Sequence, residues 1–217
     1  MVQFPEKDQY AYDDLVELLR ILRAPGGCPW DREQTHLSNR RNFLEEAYEA
    51  AEAFDRDDPD LMCEELGDML MQVRFNIQIE EDAGRFTADD VTDHIVRKLI
   101  YRHPHVFGDA KAENSEEVLA NWEALKRAEK GQKSVSDTLD AVARSLPALW
   151  RADKLLKRAG FGGLDASDVP DGLSGAVRAL RNAADANRKS EEALNRACDA
   201  FIERFRAAGK EGNAHET

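Results

Sequence analysis

Strand signals are almost absent from this 217-residue chain, and so are the marks of an exported, membrane-spanning or metal-stapled protein. Its three cysteines, Cys28, Cys63 and Cys198, are scattered and odd in number, which gives neither a disulfide framework nor paired zinc-ligand spacing. Charges interrupt every apolar stretch well before membrane-spanning length, and the N-terminus (Met-Val-Gln-Phe-Pro-Glu-Lys-Asp) lacks an apolar signal core. A cytoplasmic protein is expected. Basic residues are outnumbered, 30 Lys and Arg against 43 Asp and Glu, for a net charge of -13. That sign argues against a nonspecific partner such as nucleic acid or an anionic membrane. It leaves open a small anionic substrate, because a metal and local Lys or Arg can invert the field inside a site.

What is present is helix. Leu15, Leu18, Leu19 and Leu22 predict one buried face over Tyr12 to Arg23. A loop, Ala24 to Asp31, follows. Further helices are predicted from Ser38 to Phe54 and from Pro59 to about Ala83, the second capped by Asp58 and closed by Gly84. Thr87 opens a helix running from Asp90 to Arg102, which His103-Pro104-His105 stops, and another spans Asn114 to Lys130. Lys130 to Asp137 reads as a linker. Beyond it come helices at about Leu146 to Ala159, Leu173 to Ala186 and Ser190 to Ala208, with a stop at Gly160 to Gly163 and a capped loop from Asp165 to Gly172. The expected fold is all-α.

The most informative residues are four acids. Glu46 and Glu49 are three apart on one predicted helix, and Glu65 and Asp68 three apart on the next, so each pair shares a helix face. A short Asp-rich turn between the helices makes them antiparallel neighbours, so the two acidic faces can meet. Like charges about 4 Å apart repel by about 4 kcal/mol at an effective dielectric near 20. Either pair alone is an ordinary solvated face. These acids, however, border the apolar positions Phe43, Leu44, Ala47, Leu66, Met69 and Leu70, where desolvation penalises charge unless a cation compensates it. Carboxylate oxygens suit Mg²⁺, which shares its octahedron with waters and phosphates.

Several other residues carry two readings each. Glu45 is an acid behind the metal ligands, a base for an attacking water, or a surface residue. Gln72 and Asn76 stay near the face of Glu65, where their amides orient a base or sugar or form a buried hydrogen-bonding pair. Lys98 and Arg102, one turn apart, suit phosphate oxygens, and also suit the negative end of a helix. Trp122 and Lys126 repeat that spacing, as a base cover and a phosphate cation or as core. Trp30 reads as a packed loop anchor, His36 as a hydrogen-bonding residue at a helix entry, and His103 and His105 as shaping a helix exit.

Taken in order, Cys28-Pro29-Trp30-Asp31, Gln34-Thr35-His36, Leu44-Glu45-Glu46-Ala47-Tyr48-Glu49, Glu64-Glu65-Leu66-Gly67-Asp68 and Arg102-His103-Pro104-His105-Val106-Phe107 strongly resemble the MazG family of nucleoside triphosphate pyrophosphohydrolases. The close resemblance covers about Leu15 to Lys130. It implies an all-α, four-helix-bundle-type core and Mg²⁺-dependent cleavage of nucleoside triphosphates between the α and β phosphates, giving NMP and pyrophosphate. A homodimer is expected as well, because the few long helices of the front half have broad apolar faces that need partners to bury them, and Mn²⁺ is an expected substitute metal. By resemblance Glu46, Glu49, Glu65 and Asp68 match the metal ligands, with Glu45, Glu46 and Glu49 as the catalytic acids. Lys98, Arg102, Trp122 and Lys126 match residues around the nucleotide, with Asn76 beside them. The organisation expected is a catalytic domain over 1–130, a linker over 131–145 and a degenerate, structural copy over 146–217. In that copy, Leu173 to Ala184 carries no carboxylate and Ala200 stands where the front half has Lys98. The expected role is house-cleaning of nucleotide pools. The alternatives are a narrower dUTP or phosphoribosyl-ATP pyrophosphohydrolase and a noncatalytic nucleotide-binding scaffold.

Overall fold

A computed structural model describes residues 4–160 and 171–212, and among them every regular element is a helix. The fold is all-α. Two compact units divide the chain, Met1–Ala110 and Lys111–Thr217. Among the described residues no helix is long and apolar enough to cross a membrane.

The first unit is built on a helical hairpin. Helix α1 (Tyr12–Arg23) and the short α2 (Pro29–Glu33) lead into α3 (His36–Arg56), which turns back as α4 (Pro59–Asp82). The start of α3 is set by Thr35, whose hydroxyl accepts from the Ser38 N–H while the Ser38 hydroxyl accepts from the Thr35 N–H at 2.9 Å. Its end is Asp57, in the left-handed region at φ 51° and ψ 41°. Asp58 then caps α4, its carboxylate accepting from the backbone N–H groups of Asp60 and Leu61 at 3.1 and 3.2 Å, with Pro59 in the first turn where no N–H is needed. Ala50 and Ala53 are buried in the α3 face, and small side chains there let two backbones approach closely.

Leu19 of α1 and Phe75 of α4 complete this core, and the Arg23 guanidinium lies 5.2 Å from the centre of the Phe75 ring while its Nε donates to Asp82 at 2.7 Å. Helix α5 (Ala88–Arg102) is capped by Thr87 and tied to α4 by Glu81. One Glu81 oxygen accepts from the Ala88 N–H and the other from the buried Arg74 at 2.6 Å. A single turn, α6 (Pro104–Phe107), closes the unit. Pro104 stops α5, and the His103 ring nitrogen Nδ1 donates to the Leu99 carbonyl at 2.6 Å, so this histidine does shape the helix exit.

The second unit contains α7 (Ser115–Glu129), α8 (Val135–Asp140), α9 (Ala148–Arg158) and α10 (Asp171–Gly212), with Val142, Ala152 and Val177 buried among the last three. Three sequence expectations change. The loop drawn from Ala24 to Asp31 is shorter, because Pro29 starts α2. The two helices expected over Leu173 to Ala186 and Ser190 to Ala208 are one continuous α10. At Ser190, where the second of these helices was expected to begin, the hydroxyl donates back to the Ala186 carbonyl at 3.1 Å and the helix runs through it. The capped loop expected through Gly172 gives way to helix at Asp171. Gly160 ends α9 at φ 80°, whereas the stop at Phe161 to Gly163 and the loop from Asp165 lie outside the described residues.

Candidate active site

Antiparallel pairing of α3 on α4 is what turns two pairs of acids into one cluster. Glu46 and Glu49 on α3 and Glu65 on α4 each place a carboxylate oxygen within 4.8 Å of the other two. Glu46 and Glu65 are half-buried and Glu49 is exposed. Asp68, the fourth acid of the pattern, is half-buried and falls outside that three-oxygen group, but its charge acts on both Glu46 and Glu65.

The electrostatics follow from crowding. Burial pushes the Glu46 carboxyl above the ordinary carboxylate range, the Asp68 and Glu49 charges push it further, and a hydrogen bond from Gln72 works the other way. Glu65 is raised too, first by burial and then by Glu49, Asp68, Glu64 and Glu52. A cluster of hard oxygen donors that repel one another and resist ionisation fits a divalent cation, which compensates the charge.

The remaining predicted residues lie on several different helices. Glu45 is exposed on α3, with Arg41 Nε 3.9 Å from its carboxylate. Asn76 is half-buried, and both ends of its amide are engaged. Its Nδ2 donates to the Gln72 carbonyl at 2.9 Å, and its Oδ1 accepts from His36 Nδ1 at 2.8 Å. Lys98 is half-buried and Arg102 buried near the end of α5. Trp122 and Lys126 lie on α7 in the second unit, both half-buried, with Lys126 Nζ donating to Glu123 at 3.1 Å. Trp30 departs from its expected role as a packed anchor: the residue is 58% exposed, and its carbonyl accepts from Gln34.

Two members of a polar seam, Asn39 and Glu80, escaped the sequence reading, which had singled out Gln72, Asn76 and His36. Gln72, Asn76 and Glu80 recur every four residues along α4 and face His36 and Asn39 of α3. Asn39 and Gln72 are buried and paired at 2.9 Å, and Gln72 Nε2 reaches Glu46 at 3.5 Å. Glu80, only 6% exposed, is held by His36 and by both Nε and Nη2 of Arg85. Those bonds hold its carboxyl down at about 2. The four-residue spacing of polar side chains was the available signal.

A helical hairpin whose two arms gather carboxylates at one level defines an all-α protein with an acidic cluster between neighbouring helices. Residues 34–107, which contain this hairpin, match the model of the MazG nucleotide pyrophosphohydrolase domain. A Thermotoga maritima protein named nucleoside triphosphate pyrophosphohydrolase/pyrophosphatase MazG is 36% identical over 219 residues, covering 90% of this chain and 84% of its own. The chain belongs to the MazG family. The Escherichia coli nucleoside triphosphate pyrophosphohydrolase is 48% identical over 154 residues, 70% of this chain and 59% of that one. An uncharacterised Bacillus subtilis protein, YabN, is 52% identical over 148 residues, 68% of this chain. The chain therefore spans 30% of the length of the Bacillus protein and 59% of the Escherichia coli one.

Proposed function

We propose that the protein hydrolyses nucleoside triphosphates at the α–β phosphoanhydride, adding one water across that linkage to give NMP and pyrophosphate. The observation that carries this reading is the meeting of three carboxylates from two helices within 4.8 Å, two of them pushed up in pKa by burial and mutual repulsion. Glu46, Glu49 and Glu65 would hold Mg²⁺, or Mn²⁺ in its place, with Asp68 completing the set. When bound, the metal supplies charge neutralisation on the triphosphate and the departing pyrophosphate and orients the attacking water.

The chain's own residues do the rest. Lys98 and Arg102 take phosphate oxygens, Trp122 covers the base, Lys126 adds a further cation, and Asn76 sits beside the sugar or base. Glu46 and Glu49 act within the acid cluster, and Glu45 takes part from its edge. The names of the Thermotoga maritima and Escherichia coli relatives support the reaction. House-cleaning of nucleotide pools in the cytoplasm is the role that fits, with three free cysteines and an acidic surface in support.

Homodimerisation is part of the same reading. Leu44 and Tyr48 on α3, Leu66 and Leu70 on α4, and Ile95 and Leu99 on α5 are all more than a third exposed, and apolar helix faces of that extent call for a partner. The organisation proposed with it is a catalytic domain over 1–130, a linker over 131–145, and a structural, metal-free copy over 146–217. Incubation with each nucleoside triphosphate and Mg²⁺, with products resolved by ion-exchange chromatography, tests the central claim. NMP and pyrophosphate are expected. Release of NDP and phosphate breaks the α–β assignment, and no turnover leaves a nucleotide-binding scaffold.

A further inference from the structure

Cross-links between α3 and α4 run in strict antiparallel order. His36 faces Asn76 and Glu80, Asn39 faces Gln72, Glu46 touches Gln72, and Glu46 and Glu49 meet Glu65. Positions on α4 fall as positions on α3 rise. At one end of this seam like charges push the helices apart: beyond the effect of burial, Asp68 on α4 raises the Glu46 carboxyl on α3, and Glu49 on α3 raises the Glu65 carboxyl on α4. About 15 Å further along α3, ten residues at the usual helical rise, opposite charges pull them together.

The geometry fixes the chemistry of that far end. The Asn76 amide is oriented by its Nδ2 bond to the Gln72 carbonyl, so its Oδ1 must face the imidazole, and His36 Nδ1 is a donor. Glu80 faces the other ring nitrogen, and both Glu80 oxygens are held by Arg85 at 2.6 Å, so Nε2 is a donor as well. With the clamp complete, the ring carries two protons. The charged groups that face it are Glu80 and, behind it, Arg85.

The geometry points to His36 as a positioning residue, a clamp that joins the first turn of α3 to Asn76 and Glu80 of α4 and thereby sets the register in which Glu46 and Glu49 meet Glu65. This rests on the proposed metal-binding role of those acids. Without the clamp the repelling end of the seam loses its opposing charge pair, and the oxygens separate when no cation is present. The bonds to Asn76 and then Glu80 raise the imidazole pKa, against the opposing pull of burial and Arg85. The doubly protonated ring therefore persists toward neutral pH, and one bond of the clamp is lost as pH rises through that titration.

The test uses the full chain and Mn²⁺ alone, with affinity measured by calorimetry and the His36 ring followed by ¹⁵N NMR between about pH 6 and 8.5. Expected results are a ring protonated on both nitrogens at the acid end and Mn²⁺ affinity that declines as it titrates. Carboxylate ligands alone give no such decline, since their affinity rises with pH and then levels. His36→Ala should weaken Mn²⁺ binding about tenfold and abolish the decline. Glu80→Gln keeps an acceptor but removes the charge, so the decline should move to lower pH; this variant carries the test if His36→Ala does not fold. Unchanged Mn²⁺ affinity in His36→Ala, a ring with a single proton at pH 6, or an unmoved decline in Glu80→Gln overturns the clamp while leaving the metal site intact. Failure of the wild-type protein to bind Mn²⁺ overturns the metal reading and the clamp together.

Discussion

Asn39 and Gln72 hold each other across the α3–α4 seam, amide nitrogen to amide oxygen at 2.9 Å, and each residue is all but closed to water. A pair of this kind contributes little net energy when made and a good deal when broken, because the survivor keeps its desolvation without a partner. Gln72→Leu should therefore destabilise the protein by about 1–3 kcal/mol in urea unfolding. The double change Asn39→Leu with Gln72→Leu should recover much of that loss. A double variant as unstable as the sum of the singles would show that the pair is not an isolated unit.

Glu46→Gln separates stability from chemistry. The Glu46 carboxyl is raised in the folded protein, so folding favours its protonated form, and the penalty is present wherever the pH lies above that titration. At neutral pH and without metal, Glu46→Gln should melt higher than the wild type. Asp68→Asn should do the same, since Asp68 is the largest charge acting on Glu46. Turnover of nucleoside triphosphate in Glu46→Gln should fall by about a hundredfold or more, since even outer-shell partners of a metal site are worth 10–100-fold. Calorimetric melting beside a pyrophosphate-release assay reads both.

Addition of Mg²⁺ should reverse the same penalty. A site that binds only in the folded state gains about 2.7 kcal/mol of stability at a hundredfold excess over Kd. The melting temperature should climb with Mg²⁺ concentration and stay flat for Glu46→Gln. A rise of equal size in both proteins would place the binding elsewhere.

Acid stability should depend on Arg85. Glu80 titrates at about 2 in the folded protein, well below its ordinary value, with Arg85 the larger cause and His36 the next. A depressed carboxyl contributes stability that is complete above the ordinary carboxylate range and is lost as the pH falls toward the folded value. Arg85→Met should raise the pH at which the protein unfolds in acid, and salt should narrow the difference, because the Arg85 side chain is 62% exposed. Urea midpoints measured at descending pH check this.

Local structure was legible wherever one residue decides the outcome. Helix α1 spans the stretch predicted from its leucines, and Asp58, Thr87 and Asn114 cap the helices they were expected to start or open. The acid spacing was legible because helical periodicity alone puts residues three apart on one face. Register was not. Whether Glu46 meets Glu65 or lies beside Asp68 depends on the length of the corner and on which small residues let the helices touch, and these are Asp57, Asp58, Ala50 and Ala53. Glu80 went unnoticed for a related reason: its burial is tolerable only because His36, far away in sequence, and Arg85 neutralise it. The break expected before Ser190 is absent because its hydroxyl bonds back to the Ala186 carbonyl within a continuous helix.

The tight corner at Asp57 and Asp58 governs how the hairpin can vary. With only two residues between α3 and α4, an inserted or deleted residue must either unwind a helix end or turn one arm by about 100° relative to the other. Rotation of that size would carry Glu65 out of reach of Glu46. Sequence length at the bend is thus constrained as tightly as the acids themselves, although neither bend residue touches them.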